Sequence, residues 1–339
     1  MRQKITFFLL VGSLLSGWAH SDALLLQKSA TQAFIHEMVS KEHFDEKQLV
    51  ATLSQAKFQP QIIVSMERPY EKKTWDLYQS LFLTEQRIQA GLVYWRDNQA
   101  ALIAAEQRFG VPADMIVSII GIETLYGQHQ GTYRVLDALS TLAFYYPKRA
   151  PFFTKELKEY LLLCREHGVP ATKYLGSYAG AMGKPQFMPS SYRMYAVHMH
   201  AAGHPDLMTN DQDVIASVAN YFHRHGWSMY QPVAQPAYVR GTAYRQLSAN
   251  GKVADYTLER LRAAGVRPQG AVTTAPTKAG LIALTTQQGS DHWLAFPNFY
   301  VITRYNTSPQ YALVAYLFSQ RLRTAWARLP HANNAYASR

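Results

Sequence analysis

Five consecutive stretches between residues 101 and 232 carry apolar residues at three-to-four spacing, and each is closed by a glycine or a proline. A pattern with this period and this punctuation commits the region to short packed helices. The spacing predicts helices over Ala101–Phe109, stopped by Gly110, and over Met115–Leu125, with Pro112 in its first turn and Gly127 as its stop. Leu136–Tyr145 follows, broken before Pro147, then Pro151–His167, ended by Gly168. The last is Asp211–His225, with Val214, Ile215, Val218, Tyr221 and Phe222 on one face and Gly226 after it. Upstream, Ala30–Met38, Asp45–Ala56 and Trp75–Gln99 have the same period, and Pro60 and Pro69 mark a non-helical connection between them. From Gln231 to about Asn306 the period fades and Pro, Gly and Thr become frequent. Pro236–Val239, Leu281–Thr286 and Phe299–Arg304 read as strands there, with one short helix at Leu258–Ala264. Ser308 as a cap and Pro309 at the first helical position then open a long helix to about Leu329. The expected fold is mainly α with a small β-rich insertion.

At 339 residues and 48% apolar content the chain can bury one large core or two to three smaller ones, and it is too apolar for a disordered protein. Cys164 is the only cysteine, which excludes an intrachain disulfide and a thiolate zinc site. It shares a helical stripe with Phe153, Leu157, Tyr160 and Leu161 and reads as a buried structural thiol. Arg2 and Lys4, the apolar run Ile5–Leu15 and the small-residue site Ala19-His20-Ser21 read as a cleaved secretory signal, residues 1–21. No later segment has the length and apolarity of a membrane span. The formal charge of +11, lowered by two on losing Arg2 and Lys4, points to an anionic partner outside the cytoplasm, such as a cell wall or an anionic membrane surface. Nucleic acid is not expected, because the chain is exported and carries no clustered basic run.

Glu123 is the most informative residue, a lone carboxyl at the end of the apolar run Met115–Leu125. Desolvation and the negative end of the helix both raise the pKa of such a group, as a general acid near neutrality requires. Gly121 leaves room for a ligand beside it. A surface glutamate at a helix end is the other reading of the same spacing. The segment from Gly176 to Tyr192 holds three glycines and two prolines and must be an ordered, irregular loop. It either brings Ser177 and Gln186 to a ligand between the apolar walls Met182, Phe187 and Met188, or it is an ordinary packed loop. Glu156, Glu159 and Glu166 fit the solvated face of their helix, and Asp137 belongs to no motif that pairs it with Glu123. His198, His200 and His204 fit a solvated loop better than a metal site, and His223 and His225 suit the terminal carbonyls of a helix.

Four ordered blocks carry a resemblance. They are Ile122-Glu123-Thr124-x-Tyr126-Gly127; Ser177-x-Ala179-Gly180-Ala181-Met182-Gly183-x-x-Gln186-Phe187-Met188-Pro189-Ser190-Ser191-Tyr192; Ser217-Val218-Ala219-Asn220-Tyr221-Phe222; and Pro297-Asn298-Phe299-Tyr300-x-Ile302-Thr303-Arg304-Tyr305-Asn306. Together, over roughly residues 75 to 330, the chain resembles the B-type lytic murein transglycosylases. The resemblance implies a lysozyme-like catalytic core embraced by a helical domain, with a small β domain. It implies cleavage of the β-1,4 bond between N-acetylmuramic acid and N-acetylglucosamine in peptidoglycan glycan strands, leaving 1,6-anhydro ends. It assigns acid/base catalysis to Glu123 and substrate binding to Ser177, Gln186, Tyr221, Tyr305, Asn306 and Tyr311. The implied division is 22–100 helical, joined by the helix 309–329; 101–232 catalytic core; 233–296 β-rich; and 297–308 returning to the cleft.

A single glutamate suffices for this chemistry if the substrate supplies the nucleophile, its own C6 hydroxyl. The sequence departs from its relatives in two places. It has no cysteine after the signal to carry a lipid, so a soluble periplasmic form is expected. The stretch His198–Asp206 lacks the alternating oxygen donors of the relatives' calcium loop, so no calcium, and no other metal or cofactor, is expected. Proteins of cell-wall synthesis or remodelling are the other partners the resemblance suggests. Two rival functions share these residues: a hydrolytic muramidase on the same fold, and an inactive wall-binding scaffold.

Overall fold

The computed structural model describes residues 25–67, 73–199, 203–271 and 277–329. The signal segment and His200 lie outside the described residues. In chain order the helices are α1 (Ser29–Ser40), α2 (Glu46–Leu53), α3 (Pro60–Met66), α4 (Trp75–Ser80), α5 (Glu85–Asp97), α6 (Gln99–Phe109) and α7 (Ala113–Thr124). The two-residue strand β1 (Tyr133–Arg134) precedes α8 (Val135–Tyr145) and α9 (Ala150–Glu166), then come β2 (Leu175–Gly176), α10 (Pro189–Tyr195) and α11 (Asp211–Arg224). The β-rich stretch holds β3 (Ala234–Val239), β4 (Tyr256–Thr257), α12 (Leu258–Ala263), β5 (Val266–Pro268), β6 (Lys278–Thr286) and β7 (Gly289–Ala295). Helices α13 (Pro297–Tyr305) and α14 (Pro309–Ala327) close the chain. The fold is mainly α with a small antiparallel sheet. Among the described residues no helix is long and apolar enough to cross a membrane.

The residues cluster into two compact units. The first contains the described residues of Met1–Arg68 with Gly131–Ala181 and Met188–Ser190. Here α8 packs on α9 and on α3, and α1 on α2. Two polar groups organise it. The buried Asp137 carboxylate accepts from the Arg134 guanidinium at 2.7 and 2.8 Å and from the Lys57 backbone N–H at 2.9 Å. Buried Glu156 on α9 accepts from the Ser190 N–H at 2.9 Å and from its hydroxyl at 2.7 Å. Glu156 is therefore not on the solvated face expected of it. It falls on the buried stripe with Phe153, Leu157 and Tyr160, because a partner distant in sequence satisfies its oxygens. Cys164 lies in the same core, buried as expected.

The second unit contains the described residues of Pro69–Gln130 and Ser191–Arg339 with Met182–Phe187. Its axis is α7, mostly apolar and buried all round from Ala113 to Ile122. Helices α14, α5, α6 and α11 pack about it. Ser118 donates to the Ala315 carbonyl at 2.7 Å, and buried Asp114 meets Arg323 at 2.9 Å. Each fully buried Ile or Val of α7 contributes about 1.5–3 kcal/mol of transfer free energy, enough to hold a β-branched run helical against its weak propensity. Trp95 of α5 stacks on Trp326 of α14 at 4.8 Å. The sheet, ordered β4-β6-β7-β3-β5, is antiparallel throughout and covers a core that includes Leu261, Val266, Leu281, Leu294 and Phe296. The β6–β7 register pairs Thr286 with Gly289, a two-residue hairpin whose Gln287 N–H donates to Asp76 at 3.1 Å.

Three local expectations are corrected. Pro60 opens α3 at its first position rather than interrupting helix. The Trp75–Gln99 helix is broken at 81–84, where Thr84 caps a new start by accepting from the Arg87 N–H at 3.3 Å. Phe299–Arg304 is helical, within α13, although its Phe, Val, Ile and Thr read as a strand. Pro297 in its first turn and the burial of Asn298 through Ile302 on several sides override β propensity.

Candidate active site

Glu123 is the last residue but one of α7. Beyond it the chain leaves the helix through three successive left-handed residues, Leu125 (φ 49°), Tyr126 (φ 60°) and Gly127 (φ 92°). For the two that carry side chains this costs roughly 1–2 kcal/mol each, so neighbouring contacts must hold the turn. Thr124 supplies two of them. Its hydroxyl donates to the Lys184 carbonyl at 2.7 Å and accepts from the Gly127 N–H at 2.9 Å. The Arg87 guanidinium donates to the Gly121 carbonyl at 2.7 Å, satisfying an oxygen in the last turn. The room beside Gly121 is not left for a ligand, as the sequence suggested. The Tyr126 phenol fills it: a Cβ at Gly121 would stand 2.4 Å from its hydroxyl.

The Glu123 carboxylate accepts one hydrogen bond, from the Tyr311 hydroxyl at 2.5 Å, in the first turn of α14. That turn is set by Ser308, which accepts from the Tyr311 N–H at 3.4 Å. Burial pushes the Glu123 carboxyl up to about 7, and the Tyr311 hydrogen bond holds it back only in part. Neither influence is another carboxylate. Tyr305 and Tyr311 are both pushed well above the ordinary tyrosine range, by burial first and by the nearby Glu123 second. The group therefore titrates near neutrality, flanked by phenols that keep their protons there.

The other anticipated residues of this unit have distinct surroundings. Gln186 sits in a left-handed backbone conformation (φ 51°), and its amide nitrogen donates to the Gln130 and Gly183 carbonyls at 3.0 and 2.9 Å. Met182 and Phe187 pair across this loop. The Tyr305 hydroxyl donates to the Pro185 carbonyl and the Tyr221 hydroxyl to the Arg304 carbonyl, both at 2.5 Å. Their rings meet at 4.9 Å, with Phe187 5.5 Å from Tyr221 and 5.8 Å from Tyr305. The Tyr221 and Tyr305 hydroxyls are thus committed to backbone carbonyls. Asn306 accepts from the Ser308 N–H at 3.0 Å, which leaves its amide N–H groups to donate. Asn306 and Gln310 also border an open groove of about 710 Å³ whose other wall is β6 at Ala283–Thr285.

Ser177 belongs to the first unit, where its oxygen accepts from the Ala179 and Ala181 N–H groups at 3.2 and 3.1 Å and folds the 177–181 loop on itself. Asp137, in the same unit, is committed to Arg134 and Lys57. His198 faces the buried Asp213 at 2.9 Å, and Asp213 also accepts from the Met199 and Asp206 N–H groups. His223 and His225 meet helix-end carbonyls, Phe109 at 3.0 Å and Tyr221 at 2.7 Å. Among the described residues no group of three or more His, Cys, Asp or Glu is placed to hold a metal.

Sequence reasoning missed Tyr78 and Arg87. Tyr78, buried on α4, lies close enough to the Tyr311 phenol to raise its pKa. Neither residue lies in a motif, and both reach the site from helices well upstream, so no spacing could have singled them out.

Residues 27–320 match the family model described as the transglycosylase SLT domain. The chain is 40% identical over 304 residues to membrane-bound lytic murein transglycosylase B of Escherichia coli (strain K12), covering 87% of this chain and 82% of that one. The soluble lytic transglycosylase SltB1 from Pseudomonas aeruginosa superposes with a TM-score of 0.81 at 41% identity, covering 87% of this chain and 98% of the other. SltB3 from the same organism, solved in complex with NAG-NAM-pentapeptide, superposes at 0.75 with 27% identity over 87% of this chain and 80% of the other. The helical architecture with its small sheet is thus shared across nearly the whole chain, which belongs to the transglycosylase SLT domain family.

Proposed function

We propose that this chain is a lytic transglycosylase that cleaves the β-1,4 bond between N-acetylmuramic acid and N-acetylglucosamine in peptidoglycan glycan strands and leaves 1,6-anhydro-N-acetylmuramic acid ends. One observation carries the reading: Glu123 is a buried carboxyl, titrating near neutrality, whose hydrogen-bond partner is Tyr311 and not a second carboxylate. Glycosidases that use a water or an enzyme nucleophile work with a carboxylate pair. A lone acid fits a substrate that closes on itself. Glu123 gives its proton to the bridging oxygen as the C1–O bond breaks. The Tyr311 hydroxyl then stabilises the carboxylate that remains. That carboxylate takes the proton from the C6 hydroxyl as its oxygen bonds to C1, which restores the acid. Because the attack is intramolecular, holding the sugar in place supplies what activation of a water otherwise would.

In this reading Gln186, its nitrogen already engaged, offers its carbonyl oxygen to an N-acetyl N–H or a sugar hydroxyl. Asn306 offers amide donors, Tyr221 and Tyr305 supply flat apolar wall, and Ser177 retains its hydroxyl proton for the glycan. The names of the relatives and the muropeptide bound in SltB3 support the substrate class, and the charge of +11 suits an anionic polymer. Residues 1–21 acting as a signal, delivery to the periplasm and work beside cell-wall synthesis proteins belong to the same proposal. Fractionation of cells expressing the full chain, with and without residues 1–21, tests the location.

Mass spectrometry of products from purified peptidoglycan decides the reaction. Anhydro ends, one water lighter than reducing ends, are expected, with no product from Glu123→Gln. Reducing ends would make the protein a muramidase. Undiminished digestion by Glu123→Gln would remove Glu123 from the mechanism.

A further inference from the structure

The ring of Tyr126 occupies a slot that two glycines on different helices leave open. A Cβ built at Gly91 on α5 would lie 2.5 Å from both the Tyr126 hydroxyl and Leu322 Cδ2, and one at Gly121 on α7 would lie 2.4 Å from the hydroxyl and 2.6 Å from Cζ. The ring stacks on Tyr94 at 4.9 Å. Tyr94 in turn donates to Asp211 at 2.8 Å, and the Lys184 ammonium meets the same carboxylate oxygen at 2.8 Å. The Lys184 carbonyl receives the Thr124 hydroxyl, and Thr124 is the residue after Glu123. These contacts form a closed circuit: Thr124, Lys184, Asp211, Tyr94, Tyr126, and back to Gly121, two residues before Glu123. The circuit spans the left-handed turn at 125–127 and includes the 182–187 loop that carries Gln186. Within it the Tyr126 hydroxyl is buried with no hydrogen-bond partner. A buried hydroxyl without a partner adds nothing to stability, so what the site uses is the shape of the ring.

We propose that Tyr126 is a positioning residue for Glu123: its ring, locked between Gly91 and Gly121 and against Tyr94, fixes the end of α7 and with it the direction of the Glu123 carboxyl. This rests on Glu123 being the acid/base. Tyr126 touches no reacting atom in this account and acts by geometry, where a displacement of about 1 Å is enough to lower a rate a hundredfold.

The test compares wild type, Tyr126→Ala, Tyr126→Leu and Tyr126→Phe on purified peptidoglycan, with Glu123→Gln as reference. Each is measured for kcat, KM and the pH dependence of kcat, after circular dichroism confirms native helicity. Tyr126→Ala is expected to lower kcat by about 10- to 100-fold with KM little changed. Its loss of activity at high pH should begin at lower pH than in wild type, because the loosened carboxyl gains water. Tyr126→Phe should keep the wild-type rate and pH profile. Tyr126→Leu, which fills part of the slot without a flat ring, should lose rate in the same sense as Tyr126→Ala but by less. Should Tyr126→Ala not fold, Tyr126→Leu against Tyr126→Phe decides. A folded Tyr126→Ala or Tyr126→Leu enzyme with wild-type kcat and pH profile overturns the proposal, as does a Tyr126→Phe enzyme as impaired as the alanine or leucine variant. If Glu123→Gln were itself fully active, the acid/base reading would fall instead, and the two failures remain distinct.

Discussion

Glu123 is useful only while it holds a proton, so its titration should shape the pH dependence of the reaction. With the carboxyl pushed to about 7, activity should decline as the pH rises through that value. Tyr311→Phe removes the hydrogen bond that favours the ionised form, so the carboxyl should titrate higher still. The decline should then move to higher pH while kcat falls, because the carboxylate left after proton transfer has lost its donor. A pH series on purified peptidoglycan reads both effects. The same burial has a stability consequence. An unfolded glutamate titrates near about 4.3, so below that pH both states are protonated and the folded state keeps its full share. As pH rises through about 7 the folded chain must ionise a buried group, and that share is lost. Glu123→Gln should therefore stabilise the protein at pH 8 by on the order of 1–3 kcal/mol and leave it unchanged at pH 4. Urea midpoints at the two pH values measure the difference.

Helix ends place the site's chemistry. The first turn of α14 delivers Tyr311, and Ser308 caps it through the Tyr311 N–H. Ser308→Ala should cost about 1 kcal/mol and, because the freed turn carries Tyr311, should also lower kcat. Urea unfolding and steady-state rates measured on one preparation separate the two effects. In the first unit Glu156 accepts both donors of Ser190. Glu156→Ala leaves those half-buried donors unmet and should destabilise by about 1–3 kcal/mol. A solvated glutamate, the sequence's expectation, would give nearly nothing. The helices themselves were legible over most of the chain, because Gly110, Gly168, Gly226, Pro147 and Pro309 punctuate a clear 3.6-residue period. Helix α13 was not, because a short run rich in Phe, Val and Ile has no period long enough to tell a strand from a buried helix.

As a whole molecule this chain has no intrachain disulfide to brace it. Cys164 is its single cysteine, buried, and burial pushes the thiol up to about 11. Thermal midpoints should not change with added reductant, and a thiol-specific chromogenic reagent should find no reactive group in the native protein and one after denaturation. Residue periodicity and punctuation determined that the chain would be mainly helical with a small β-rich stretch. The one carboxyl within the apolar run Met115–Leu125 marked Glu123, since an isolated charge in such a run is anomalous wherever the chain places it. The sequence could not show that the slot beside Gly121 belongs to Tyr126, that Tyr78 and Arg87 approach from α4 and α5, or that Glu156 turns inward. Each of these depends on two groups far apart in the chain becoming neighbours. Burial, and with it the cost of holding a charge, is a property of those neighbours rather than of any residue's own position in the chain.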